Sequence, residues 1–249
     1  MSITATTPGT RGKRAGYKDG VEPPITNVAP LARLVLFPGL GADARLFDAQ
    51  REAFPHLEVP PWLEPRGGES LEEYGRRMAQ RVAGDSNLPI YLGGASFGGA
   101  VALEVARHVP ARGVFLIGSC RNAGAIPPLY RLLGRLARLC PPPVFAALTR
   151  LAPLGVPMFG PATAQQRAAV LAQLHATPVS FLRWGLQALL GWDPPQDLSA
   201  RVYHVHGARD RLLPCRRAKP DLVIPGAGHL LNVTHPAEVN RFMAARMCT

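Results

Sequence analysis

Pro89-Ile90-Tyr91-Leu92-Gly93-Gly94-Ala95-Ser96-Phe97-Gly98-Gly99 is the stretch on which the fold turns. Pro89 to Gly93 has the length and apolar character of a buried strand, and Gly98 to His108 continues with a helical pattern. Between them lies G-x-S-x-G. A serine on so tight a strand-to-helix turn adopts strained backbone angles and points its hydroxyl into the open. The residues two before and two after it must lack bulky side chains, because the turn brings them together; Gly94 and Gly98 meet that demand. A small-residue turn that merely ends a strand would look similar, so the motif needs partners elsewhere in the chain.

Outward from this turn, apolar runs alternate with helical patterns from Leu31 onward, the signature of stacked βα units around a parallel sheet. The strands are expected at Ala32 to Phe37, His56 to Val59, Pro89 to Gly93, Gly113 to Ile117, Arg201 to His206 and Asp221 to Ile224. Helices are expected at Asp43 to Phe54, Ser70 to Val82, Gly98 to His108 and Pro236 to Met247, with Ser70 and Glu73 spaced as a capping box and Pro236 suited to a first turn. The fold class is therefore α/β, a doubly wound, mostly parallel sheet of about six strands. Gly124 to Leu198 breaks the rhythm. It holds no strand-like run, several prolines and a second capping box at Thr163 and Gln166, and it is too long for a passive loop, so it reads as a helical lid inserted after the fourth strand. Met1 to Pro30 reads as a flexible leader, leaving residues 31–249 as one domain.

Two further segments could complete a site with Ser96. His206-Gly207-Ala208-Arg209-Asp210 ends the fifth strand and would set the Asp210 carboxylate at the carboxyl edge of the sheet. Gly226-Ala227-Gly228-His229 follows the last strand and puts His229 on a glycine-rich loop able to reach Ser96. The chain order Ser96, Asp210, His229, each in its own βα unit, is that of a nucleophile, an orienting acid and a general base.

With these segments the chain resembles serine hydrolases of the α/β-hydrolase superfamily, with a helical lid as in its lipase, esterase, thioesterase and C–C hydrolase members. The resemblance covers Leu31 to the C-terminus. It implies that Ser96 is the nucleophile, His229 the base and Asp210 its partner. It further implies that the backbone N–H groups of Leu40, in Phe37-Pro38-Gly39-Leu40-Gly41, and of Phe97 form the oxyanion hole. Pro38 stands where the family often has histidine in His-Gly-x-Gly, and Ala95 stands where histidine often precedes the serine. The chain has no room for two leading antiparallel strands, so the sheet should be reduced. The other customary acid position, after the fourth strand, holds Gly118-Ser119-Cys120-Arg121 and no carboxylate. The expected activity is cleavage of a carboxylic ester or thioester with an apolar acyl part, without metal or coenzyme. C–C bond hydrolysis, cofactor-free lyase chemistry and a non-catalytic small-ligand receptor are compatible with the same fold.

Charge adds a second theme. The formal net charge is +11, and Val105 to Trp192 holds nine arginines with no Asp or Glu. Arg131, Arg135 and Arg138 recur at i, i+4 and i+7 as one stripe, either a solvated helix face or a dock for an anionic substrate portion such as a CoA moiety or an acidic acyl-carrier protein. Arginine outnumbers lysine 25 to 3, aromatics are scarce and no nucleic-acid motif occurs, so nucleic acid is not the expected partner. Cys120, Cys140, Cys215 and Cys248 are too scattered for a zinc site or disulfide framework. No apolar run reaches the ~18 residues of a membrane span and no secretory signal opens the chain, so a cytoplasmic location is expected. Gly39-Leu40-Gly41-Ala42-Asp43-Ala44 with Glu58 downstream also matches a dinucleotide fingerprint, but that reading leaves Ser96 and His229 without roles. Asp43 is better read as a helix cap, and His204 and His206, on one face of a strand, as core or supporting residues rather than metal ligands.

Overall fold

The computed structural model describes residues 32–84 and 88–248; the leader expected at Met1 to Pro30 lies outside them. Six strands form one sheet: β1 (Arg33–Phe37), β2 (Leu57–Glu58), β3 (Ile90–Ala95), β4 (Ala111–Ile117), β5 (Arg201–Gly207) and β6 (Leu222–Ile224). Their spatial order is β2-β1-β3-β4-β5-β6, and every pair is parallel. The order reverses beside β1, which makes the sheet doubly wound.

The sequence reading and the structure differ at a few boundaries, each for a local reason. β3 runs two residues past Gly93, because Gly94 and Ala95 still pair with Leu116 and Ile117. β2 shrinks to two residues; Pro60 and Pro61, which follow shortly after it, have no N–H to continue a ladder. The helix expected over Asp43 to Phe54 opens as a 3-10 turn, Ala44–Phe47, before α1 (Asp48–Ala53). Asp43 caps that turn by accepting a hydrogen bond from the Arg45 amide at 3.0 Å.

Both faces of the sheet are covered. Val35, Phe37, Leu92, Val114 and Leu116 face α2 (Leu71–Val82) and α3 (Phe97–Val105), whereas Leu34, Leu36, Tyr91, Phe115 and Ile117 face the opposite layer. Alternate residues of one strand thus serve two cores, and the strands read as continuous apolar runs. Every residue of α3 is buried, which its sequence permits because it is apolar except for Glu104. The Ser70–Glu73 box is formed at the start of α2, with both reciprocal hydrogen bonds present.

Between β4 and β5 the regular elements are all helical: a 3-10 turn at Ala123–Ala125, α4 (Pro128–Leu139), α5 (Pro142–Thr149), α6 (Ala152–Gly155), a 3-10 turn at Val156–Phe159, α7 (Ala164–Ala176) and α8 (Val179–Leu190). Thr163 and Gln166 form the second capping box, at α7. Short helices α9 (Cys215–Ala218) and α10 (Leu231–Thr234) precede α11 (Pro236–Met247), which packs Val239, Phe242 and Met243 on the sheet. Among the described residues no helix is long and apolar enough to cross a membrane. All four cysteines are free, and burial pushes the Cys120 thiol up to about 12.

Candidate active site

The registers Phe37↔Gly94, Ala95↔Ile117, Ile117↔Val205 and Gly207↔Ile224 align the carboxyl ends of five strands, so the loops after them gather at one edge. Ser96 stands at that edge with φ 51 and ψ −118, one of two non-glycine residues at positive φ among those described. Such a conformation costs a residue with a Cβ about 1–3 kcal/mol and persists because its surroundings impose it. The Ser96 amide donates to the Ile117 carbonyl at 3.0 Å, and the Ser119 hydroxyl donates to the Ser96 carbonyl at 2.6 Å. A Cβ on Gly94 would run into the Gly98 backbone, and one on Gly98 into the carbonyls of Phe37 and Pro38. The small-residue demand read from the motif is thus met by direct backbone contact.

Asp210 and His229 meet at the same edge. His229 Nδ1 lies 2.7 Å from Asp210 Oδ2, and both side chains are buried. The other carboxylate oxygen, Oδ1, accepts hydrogen bonds from the amides of Leu212 at 2.9 Å and Leu213 at 2.8 Å. Burial by itself would raise the Asp210 carboxyl. The charge of His229 and hydrogen bonds from His206, His229 and the Leu213 amide outweigh it and hold the group well below the usual carboxylate range. Since Nδ1 of His229 is engaged with an acceptor, it carries the proton and leaves Nε2 with a lone pair. Neither the Ser96 hydroxyl nor His229 Nε2 has a hydrogen-bond partner among the described residues.

The Leu40 loop lies against Ser96, with the Cβ position of Gly39 3.7 Å from the Ser96 Cβ. The amides of Leu40 and Phe97 have no protein acceptor among the described residues, the latter because Phe97 opens α3. The same loop bears the dinucleotide-like glycines, but Leu174 and Leu182 of the insertion cover Gly41, and Glu58 is bound in bidentate fashion by Arg33 at 2.7 and 2.8 Å.

Several contributors had no clear sequence signal. The Phe159 ring stacks on His229 with centroids 5.8 Å apart, and its carbonyl accepts the His229 amide at 2.6 Å. Gln173, buried in the insertion, accepts the Asp43 amide at 3.0 Å. Phe181 and Trp184 of α8 join Phe37, Trp62, Tyr74 and Phe97 in an aromatic cluster with centroids 4.4–6.5 Å apart. Trp192 donates to the buried Glu104 at 2.6 Å. These insertion aromatics mostly pack. A cavity of about 440 Å³ lies between Ala42, Trp62, Gln173 and Phe181, and one of about 390 Å³ between Glu69, Trp184 and Trp192; neither is lined by Ser96, Asp210 or His229.

His204 and His206 are fully buried. His204 Nε2 is 3.1 Å from His206 Nδ1, and His206 Nε2 is 2.7 Å from the Leu213 carbonyl and 3.0 Å from Asp210 Oδ2. Among the described residues no group of three His, Cys, Asp or Glu side chains is placed to hold a metal ion. Of the arginine stripe, Arg135 is exposed and Arg131 half-buried; the Arg138 side chain lies outside what the structure describes.

Residues 34–242 match the alpha/beta hydrolase family. The chain belongs to that family. Solved alpha/beta structures similar to it include a thermophilic esterase from Thermogutta terrifontis, 19% identical with a TM-score of 0.67, covering 86% of this chain and 88% of that one. A hydrolase from Pseudomonas aeruginosa is 16% identical with a TM-score of 0.70 over 89% of this chain and 92% of its own. An esterase from Exiguobacterium antarcticum is 13% identical with a TM-score of 0.64 over 87% and 92%. At such identities the likeness concerns the fold, and it agrees with the six-stranded parallel sheet. Comparison with curated proteins finds no match in sequence.

Proposed function

We propose that this alpha/beta hydrolase is a serine hydrolase that cleaves a carboxylic ester or thioester with an apolar acyl part. The 2.7 Å pairing of His229 Nδ1 with Asp210 Oδ2, at the sheet edge where Ser96 is held at φ 51, carries this reading. His229 Nε2 removes the Ser96 proton as the hydroxyl oxygen attacks the carbonyl carbon. Asp210 keeps the imidazole in the Nδ1–H tautomer and stabilises the imidazolium that forms. The free amides of Leu40 and Phe97 receive the developing oxyanion, and the amide charge needs no reorganisation as it does so. Collapse expels the alcohol or thiol, protonated by His229, and water then cleaves the acyl-enzyme by the same steps in reverse. The cavity bordered by Ala42, Trp62 and Phe181 begins two residues beyond Leu40 and would suit the apolar acyl part, with the helical insertion acting as its lid.

A fluorophosphonate probe tests the reading. It should label Ser96, and Ser96→Ala should abolish labelling and lower kcat for short p-nitrophenyl esters by about 10⁶-fold. Asp210→Asn should cost about 10⁴-fold. A Ser96→Ala protein that still labels, or keeps more than about a hundredth of its activity, would leave the proposal without its nucleophile.

A further inference from the structure

The Asp210 carboxylate is bound by more than the base it faces. Three N–H groups bind it, the amides of Leu212 and Leu213 on Oδ1 and the His229 ring on Oδ2, and His206 Nε2 lies 3.0 Å from Oδ2 while hydrogen-bonded to the Leu213 carbonyl at 2.7 Å. His206 Nε2 has two neighbours, Asp210 Oδ2 and the Leu213 carbonyl, and both are acceptors; Nε2 therefore bears a hydrogen. His204 Nδ1 has no partner inside a fully buried ring. A buried orphan N–H is rarer than a bare acceptor, so Nδ1 of His204 is bare and its Nε2–H donates to His206 Nδ1. Burial above all, with the charge of Arg121, pushes His204 down to about 3, which keeps that ring neutral. The protons along the row are thereby assigned, from His204 to His206 and from His206 to the Leu213 carbonyl beside Asp210.

We propose that His206 is a positioning residue for the reaction: its Nε2–H, bonded to the Leu213 carbonyl and 3.0 Å from Asp210 Oδ2, holds the loop whose Leu213 amide binds Asp210 and so keeps the carboxylate against His229, while His204 fixes the tautomer of His206. This rests on the reading of His229 as the general base. A carboxylate whose Oδ1 is held by two amides, one of them Leu213 with its own carbonyl anchored by His206, cannot turn away from the His229 ring. The second imidazole donor also shares the carboxylate charge. Removing it concentrates that charge on His229 and raises the proton affinity of the base. The other charged groups near this row are Arg121 and Asp221, bonded to each other at 2.9 Å, and Arg209, Arg211 and Arg216, which are exposed. Cys120, with its raised pKa, stays a thiol.

The test follows the rate of Ser96 labelling by a fluorophosphonate against pH, which needs the base but no knowledge of the natural substrate. In His206→Phe the acidic limb should move to higher pH by about half a unit or more, and the plateau rate should fall. His206→Gln, whose amide N–H reaches the place of Nε2, should restore both. A limb that stays at the wild-type pH in His206→Phe while only Tm falls would overturn the proposal, as would a Gln variant no better than Phe. Should the Phe variant fail to fold, ¹⁵N NMR of the neutral wild-type imidazoles at high pH decides the matter: His206 should be protonated on Nε2 and bare on Nδ1, and the opposite tautomer would refute it. Labelling that survives Ser96→Ala sinks the hydrolase reading itself. Labelling lost in Ser96→Ala with an indifferent His206→Phe sinks only the role given to His206.

Discussion

The sheet edge and the helical insertion are built on opposite terms. At the edge, Ser96, Asp210 and His229 follow strands whose last residues are buried, and the backbone contacts around Ser96 tolerate no added atom. The insertion touches the rest of the chain through separate points: Phe159 on His229, Gln173 on Asp43, the aromatic rings of α8, Trp192 on Glu104. It also carries Leu129, Leu132, Leu139, Val144, Leu148, Leu151 and Leu154 exposed, seven of the ten exposed large apolar side chains among the described residues. Precision resides in the sheet, where strands fix each loop's origin, while the insertion adds contacts that can change one at a time.

Substitutions can break or sharpen this contrast. Gly98→Val forces a Cβ into the Phe37 and Pro38 carbonyls, and urea unfolding should show a loss of more than about 4 kcal/mol or no folded protein. Leu154→Gln, at a side chain 77% exposed, should stay within about 0.5 kcal/mol of wild type in the same assay. Equal losses would mean that the insertion is as tightly built as the edge.

Acid supplies a middle-sized effect confined to the sheet. The folded state lowers His204 from its ordinary value near 6.5 to about 3, so below pH 6.5 the unfolded chain binds a proton that the folded one refuses. That contribution is fully present above pH 6.5 and is lost as pH falls toward 3, with a slope of at most about 1.4 kcal/mol per pH unit. Asp210, also lowered, adds a loss only below the ordinary carboxylate range. His204→Gln should therefore flatten the stability curve between pH 6.5 and 4, as followed by chemical denaturation.

The smallest effect concerns the insertion's charge. Replacing Arg131, Arg135 and Arg138 by Gln should lower kcat/KM for an acyl-CoA several-fold at low salt, leave a neutral ester of the same acyl group unchanged, and fade as the Debye length shrinks. Equal effects on both substrates would assign the arginines to solvation of α4.

The same contrast explains what the sequence made legible. The elbow and the two capping boxes are local patterns, each complete within a few residues, and Asp210 and His229 each follow a strand that its own apolar run announces. His206 stands four residues before Asp210, and the shared face of His204 and His206 hinted at a pair. Their aim at the carboxylate depends on how the loop through Leu213 turns back, which alternation cannot reveal. Phe159, 70 positions from His229, and Ser119, 23 from Ser96, meet their partners only after the sheet has assembled. The missing carboxylate after β4 was read as an absence, while the serine next to that place holds the elbow's carbonyl.

Ser96 at φ 51 has an evolutionary consequence. Glycine would occupy that conformation without strain, so Ser96→Gly should fold about 1 kcal/mol more stably than the natural chain while losing its hydroxyl. Selection for abundance alone would favour glycine at this position. Serine retained at this position by relatives would therefore be a mark of selection for its hydroxyl.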